Sequence, residues 1–349
     1  MALYEQLCEW DNLWFAWRRA SCGKRGRGAT AAYELYLGDH LVQLQSELQA
    51  KTYQPGGYES FYIHEPKKRL ISAAPFADRV AHHALCNVIT PILERRFIPN
   101  SFANRLEKGT HRAIDQTQAY ARRYRYYLQC DVVQFFPSID HAILQTELSK
   151  SLPDDSLNWL IDRILVSGAS VQAKEYNMVY FDGDDLLAVG RPRGLPIGNL
   201  TSQWWANAYL NPFDHFVRRE LGCTAYLRYV DDFILFSNDK DQLWRWRTLL
   251  VKRMANLRLM LHEERCFPRP TTDGIGFLGF VIYPGYRLLK RRKGIAYQRK
   301  LAALVRVGKS QVIKSSVQGW LNHVRYADTW GLRRAVLARY DLLGEIHAG

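Results

Sequence analysis

The chain has no C-x-x-C pair, no internal repeat, no low-complexity tract and no Pro/Gly/Ser stretch long enough to separate independent domains. Its six cysteines (Cys8, Cys22, Cys86, Cys130, Cys223 and Cys266) are widely spaced, which excludes a zinc knuckle or a disulfide framework and reads as reduced thiols. No apolar run approaches the roughly 18 residues a membrane helix needs. The start, MALYEQLCEW, lacks the basic and apolar regions of a signal peptide. The expectation is a cytoplasmic chain without a membrane partner. Acidic residues are nearly missing toward the C-terminus: between Arg287 and Arg339 there are fourteen basic side chains and one acid, Asp328, a local balance of +13 within a net charge of +14.

What is present is a globular composition. The 349 residues are 47% hydrophobic and 13% aromatic, enough for two or three packed units. Apolar spacing predicts helices over 30–50, 76–97, 138–165, 201–221 and 239–261, and strands over 61–64, 69–73, 126–131, 226–230, 233–236 and 276–282. The fold class is α+β, with helices on a small, mostly antiparallel sheet. From about Leu288 onward the pattern is helical and basic. One-sided charge at that density suits a phosphate backbone, so Arg287, Lys290, Arg291, Arg292, Lys293, Arg299 and Lys300 are candidate nucleic-acid contacts.

The segment YLRYVDDFILFS (226–237) sets Asp231 and Asp232 side by side within strand formers, which predicts a hairpin with Val230-Asp231-Asp232 at its tip. Adjacent carboxylates repel unless a cation lies between them. In YYLQCDVVQFFPSID (126–140), Asp131 stands where another strand ends, and Ser138 reads as the cap of the next helix. If Asp131 lies beside Asp231 and Asp232, the three carboxylates would hold two Mg²⁺ ions, with Mn²⁺ as a substitute, for an in-line phosphoryl transfer. FDGDD (181–185) is acidic too, but Asp-Gly between MVYF and LLAV predicts a solvated hairpin turn. His82, His83 and His111 lack neighbours at ligand spacing and read as helix or cap residues.

The order of DVVQFFPSID, GLPIGNLTSQ (194–203), YVDD and GIGFLGFVIYP (274–284) resembles the palm of reverse transcriptases. KKRLISAAPFADRVAHHAL (67–85) and SFANRLEKGTHRAI (101–114) look like the fingers blocks of that family. The I-G-x-x-x-S-Q form, with SVQGWLNHVRYADTWGL downstream, is similar to the reverse transcriptases of diversity-generating retroelements. The resemblance implies a right-hand polymerase: an N-terminal helical extension (1–55), fingers (56–125), a palm (126–285) carrying an insertion hairpin (166–193), and a helical thumb (286–349). It implies Asp131, Asp231, Asp232 and the Val132 backbone as metal ligands. Phe136, five residues past Asp131, is the implied gate against a ribose 2′-hydroxyl, as the position of a bulky ring near the metals also suggests. Lys67, Arg69, Arg79, Ile197, Gly198 and Gln203 are implied nucleotide contacts; for Arg79, an ion pair with Asp78 is the competing expectation. Where such polymerases offer a proton-donating lysine, this chain has Arg265, which donates a proton poorly. Implied partners are template RNA, an RNA–DNA primer-template duplex, dNTPs and a small basic oligomeric accessory protein. A defence-associated reverse transcriptase and a non-catalytic RNA-binding scaffold are the competing expectations.

Overall fold

The computed structural model describes residues 2–64, 67–308 and 310–342. Side-chain alternation builds its central sheet. In strand β5 (Asp232–Ser237), Phe233 and Leu235 enter one hydrophobic cluster while Ile234 and Phe236 enter another, the period-2 signature of a strand covered on both faces. Strands β3 (Tyr126–Asp131), β4 (Tyr226–Tyr229) and β6 (Pro268–Pro270) complete an antiparallel sheet in the order β4-β5-β3-β6. A two-stranded hairpin, β1 (Glu59–Ile63) and β2 (Arg69–Ala73), stands apart from it. The expected strand 276–282 is instead two strands of a third small sheet. Leu278 and Gly279 take φ of 45° and 94°, which turns β7 (Ile275–Phe277) back on β8 (Phe280–Ile282), and β9 (Arg287–Leu289) follows.

One large core runs from the N-terminal helices into the main sheet. Helices α1 (Leu3–Cys8), α2 (Trp10–Ser21) and α4 (Leu37–Gln49) bury Leu7, Leu13 and Leu41 in the same cluster as Leu85 and Ile89 of α5 (Phe76–Glu94). The expected helix 30–50 breaks at Tyr36, between α3 (Gly28–Leu35) and α4. The expected helix 138–165 is three pieces: α7 (Phe135–Ser138), α8 (His141–Ser151) and α9 (Asp155–Gly168). Its caps are Asp140, which accepts from the Ile143 N–H at 3.1 Å, and Asp154, which accepts from Leu157. Ser138 is therefore not the cap; its hydroxyl donates to the Gln134 carbonyl at 2.8 Å. Helix α6 (Thr110–Arg123) packs against β4 and β8, while α10 (Leu200–His215) lies across α5 and α8. Helix α11 (Lys240–Asn256) begins at an Asp239 cap.

The last helices, α12 (Arg291–Val307), α13 (Ser310–Val324) and α14 (Trp330–Ala338), bury Leu301, Val317, Trp320 and Leu337 in a cluster of their own. Tyr297 and Trp320 stack there at 4.3 Å.

Segment 166–193 contains no strand, so the expected insertion hairpin is corrected to short 3₁₀ turns over Ala173–Glu175 and Leu186–Gly190. The acidic turn is solvated at Asp182, Gly183 and Asp185, but Asp184 departs from that expectation. The Asp184 side chain is 1% exposed and pairs with Arg191 at 2.9 Å and with Arg258, while Asp140 faces the same two arginines. This charge cluster draws the segment onto the body of the protein. The reading of six reduced thiols is corrected at one pair: Cys130 and Cys266 form a disulfide, with Cα atoms 5.0 Å apart. Their 136-residue separation hid them from any spacing argument.

Candidate active site

Strand register brings the two acidic motifs together. Asp131 is directly opposite Asp232 in the β3–β5 ladder, and β4 pairs with β5 through Tyr229 opposite Asp232. That leaves Val230 and Asp231 as a two-residue turn. Val230 has φ of 58°, a left-handed conformation that a β-branched side chain rarely adopts. A buried network restrains this turn. Arg228, fully buried, donates from Nη1 to the Val230 carbonyl at 2.9 Å and to Asn207 at 3.1 Å. Its other nitrogens clasp Asp214, also fully buried, at 2.8 and 2.6 Å, and the Tyr226 hydroxyl donates to the same carboxylate. Arg228 thus holds the turn from below and does not neutralise the paired aspartates.

All three carboxylates are held above the ordinary carboxylate range. Burial, then repulsion from Asp131, raises Asp231 to about 6. Burial raises Asp232 to about 8 against the hydrogen bonds from Gln129, with Asp131 and Asp231 adding to the rise. Burial also lifts Asp131, opposed by His262, Lys67, Arg265 and the Val132 N–H. Asp131 is further fixed by its carbonyl, which accepts from the His262 N–H at 3.0 Å, while Val132 bridges to Leu261.

Oxygen donors on one sheet edge, each disfavouring its own charge, fit a hard divalent cation. Among the described residues, no three His, Cys, Asp or Glu side chains converge into a ready metal cage. The chemistry still suits Mg²⁺, which keeps waters and phosphate oxygens and needs only one or two carboxylates from the protein.

Lys67 and Arg69, exposed at the β1–β2 hairpin, act on these carboxylates: both lower Asp231, and Lys67 also lowers Asp131. Arg79 goes elsewhere. Its Nε donates to the Ala74 carbonyl at 2.7 Å, while Asp78 is occupied by Tyr53 and Gly56, so the expected Arg79–Asp78 pair is absent. Arg79 instead lines a cavity of about 170 Å³ with Lys24, His82, His83, Gly198 and Gln203. Both histidines sit on α5, and burial lowers them to about 3 and about 4, in keeping with neutral helix residues.

Phe136 is half-buried on α7, edge-on to Phe135 at 5.5 Å. Loop 194–199 is stitched to β2: the Ile197 carbonyl accepts from the Ser72 N–H at 2.8 Å, and Asn199 bonds the backbone of Ser72 and Ala74. Gly198 has φ of 119°, and a Cβ there would meet Ile71 at 3.1 Å, so glycine is required.

The basic segment divides. Arg291, Arg292, Lys293, Arg299 and Lys300 are exposed on α12. Arg287 is committed to α6, at 2.7 Å from Asp115 and 2.8 Å from Gln118. Lys290 points inward: its ammonium lies 3.2 Å from where a Cβ on Gly276 would stand, and it lowers Asp232. Sequence reasoning missed Gln129, Arg228, Asp214 and Asn207 as supports of the site. A polar residue two before Asp131 on the same strand face was the available signal for Gln129.

A family signature described as "Reverse transcriptase (RNA-dependent DNA polymerase)" matches residues 63–282. The group II intron-encoded protein LtrA of Lactococcus lactis subsp. cremoris is 24% identical over 182 residues, covering 51% of this chain and 28% of that protein. The protein of the same name from strain MG1363 matches equally. The chain thus spans little more than a quarter of these curated relatives. Among solved structures, an apo telomerase from Candida Tropicalis, truncated from its C-terminal domain, superposes with a TM-score of 0.46 at 12% identity, covering 65% of this chain and 53% of that one.

Proposed function

The chain belongs to the reverse transcriptase family, and from that premise we propose that it is an RNA-directed DNA polymerase of the diversity-generating type. The observation that carries the polymerase reading is the strand pairing that sets Asp131 opposite Asp232 beside the Asp231 turn. Asp131, Asp231 and Asp232, with the Val132 backbone, would hold Mg²⁺, which supplies charge neutralisation at the reacting phosphate and a more acidic 3′-hydroxyl. The protein's own groups do the rest. Lys67 and Arg69 meet the triphosphate from the β1–β2 hairpin, Arg offering a bidentate fork to phosphate oxygens. Gln129 and the Arg228 network keep the carboxylates aimed while their charge changes. Phe136 presents a ring where a ribose 2′-hydroxyl would need space. The exposed cations of α12 grip the template-primer duplex through its phosphates.

The diversity-generating assignment rests on Ile197 and Gly198 within GLPIGNLTSQ and on the SVQGWLNHVRYADTWGL segment. With it come mutagenic copying of a template RNA and a small basic oligomeric partner. The test is primer extension by Asp231→Asn and Asp232→Asn. Each is expected to abolish synthesis while RNA binding persists, because the change removes metal affinity without adding bulk. Extension within about tenfold of wild type would overturn the assignment of the carboxylates, since removing a metal ligand costs more than that.

A further inference from the structure

Segment 166–193 meets the base of α7 through the side chain of Gln134. Gln134, which precedes α7, has φ of 45° and ψ of 46°. This is a left-handed conformation that glycine or asparagine adopts readily and glutamine does not. Both ends of its amide are used by the segment: Nε2 donates to the Glu175 carbonyl at 2.7 Å, and Oε1 accepts from the Asn177 N–H at 3.0 Å. The same stretch reaches the β1–β2 hairpin, where the Tyr62 hydroxyl donates to the Glu175 carboxylate at 2.8 Å. The Lys68 ammonium lies 4.2 Å from the centre of the Tyr62 ring. At its far end the segment is anchored by the Asp184 charge cluster, and the Leu195 N–H donates to the Phe136 carbonyl at 2.9 Å.

We propose that residues 173–195 form a clasp between the β1–β2 hairpin and α7, and that Gln134 is a positioning residue that sets the angle of Phe136 and hence the discrimination between dNTP and rNTP. The inference rests on the reading of Phe136 as the sugar gate. An unfavourable backbone conformation persists only where its surroundings enforce it. Here the clasp supplies two enforcing contacts through the amide of Gln134, beside the bonds that its carbonyl accepts from Ser138. Released, the turn before α7 is free to relax toward ordinary dihedrals, and the Phe136 ring turns with it. The clasp also ties the gate to the hairpin that carries Lys67 and Arg69, so sugar selection and triphosphate contact share one mechanical link.

The test measures kcat and KM for dNTP and rNTP incorporation in wild type, Phe136→Ala, Gln134→Gly and Tyr62→Phe. Gln134→Gly keeps the left-handed turn accessible but removes the brace. It is expected to lower the dNTP/rNTP ratio of kcat/KM by about 5- to 10-fold, the scale of one or two hydrogen bonds removed. The change should fall mainly in the KM for rNTP, and Tm should be nearly unchanged. Tyr62→Phe, which cuts only the link to the hairpin, should shift the ratio in the same direction by a smaller factor. If Phe136→Ala loosens selection while Gln134→Gly and Tyr62→Phe leave the ratio at its wild-type value, the clasp is overturned and the gate stands. If Phe136→Ala leaves the ratio unchanged, the gate reading fails and the positioning role falls with it. Should Gln134→Gly fail to fold, the Tyr62→Phe ratio decides.

Discussion

Replacing Arg228 by Met is the sharpest probe of what holds the Val230–Asp231 turn. Arg228 and Asp214 are both fully buried, joined at 2.6 and 2.8 Å, and Arg228 alone links this pair to Asn207 and to the carbonyl of the strained Val230. Methionine fills similar space but leaves the Asp214 carboxylate buried with, among the described residues, only the Tyr226 hydroxyl as partner. Breaking a buried pair from one side costs about 3–5 kcal/mol, because an uncompensated charge remains. At about 2 cal/mol/K per residue over 349 residues, a 4 kcal/mol loss lowers Tm by about 6 °C. Removing both charges, as Arg228→Met with Asp214→Leu, should recover most of that stability, since the desolvation cost disappears with the charges. Primer extension should not recover, because the Val230 carbonyl still lacks its donor. Thermal unfolding and extension rates of the two single variants and the double variant complete the cycle. A single-variant loss below about 1 kcal/mol, or full activity in the double variant, would refute the claim that this pair supports the turn.

Three further outcomes are expected. Burial and mutual repulsion raise Asp231 to about 6 and Asp232 to about 8, so the protonated forms favour the fold. Their stabilisation is complete below the ordinary 3.8 and is lost as pH rises through those two values. Metal-free Tm should fall across that window, and Mg²⁺, which needs ionised carboxylates, should raise Tm more at its alkaline end; an equal rise at both ends would count against the carboxylate site. Neutralising Arg291, Arg292 and Lys293 should flatten the slope of log K against log salt for duplex binding by about 0.9 for each phosphate no longer neutralised, whereas Lys290→Gln, turned toward Asp232, should change extension more than slope. Ile197→Gln should reduce misincorporation opposite template adenines by roughly 5- to 150-fold, the span of about 1–3 kcal/mol from one buried hydrogen bond, and sequencing of cDNA from both proteins on one template decides it.

The polymerase elements were legible where local pattern and chemistry coincide. Strands 126–131 and 226–230, the hairpin at Val230, and helices α5 and α11 follow from apolar spacing, turn residues and caps that act within a few residues of themselves. The helix expected over 138–165 failed at its caps: Asp140 and Asp154 each start a new helix, and Leu152-Pro153 interrupts the apolar rhythm. The strand expected over 276–282 failed because Leu278 takes a left-handed turn that its side chain does not advertise.

By itself the sequence determined that carboxylates stand at two strand ends, that a basic helical segment follows them, and that the motifs occur in reverse transcriptase order. Only the tertiary structure decided which groups meet. Asp131 faces Asp232 because of the β3–β5 register, across about a hundred residues of chain. Arg228 belongs to Asp214 and not to the neighbouring aspartates, because strand alternation points it into the core. Asp184, read as a solvated turn, is buried by arginines from 191 and 258. Lys290, read as a duplex contact, turns to the sheet edge that carries Asp232, where glycine at 276 leaves it room. Local preferences are written in neighbouring residues, whereas the partner of a charge is set by packing between distant segments, which composition and spacing do not encode.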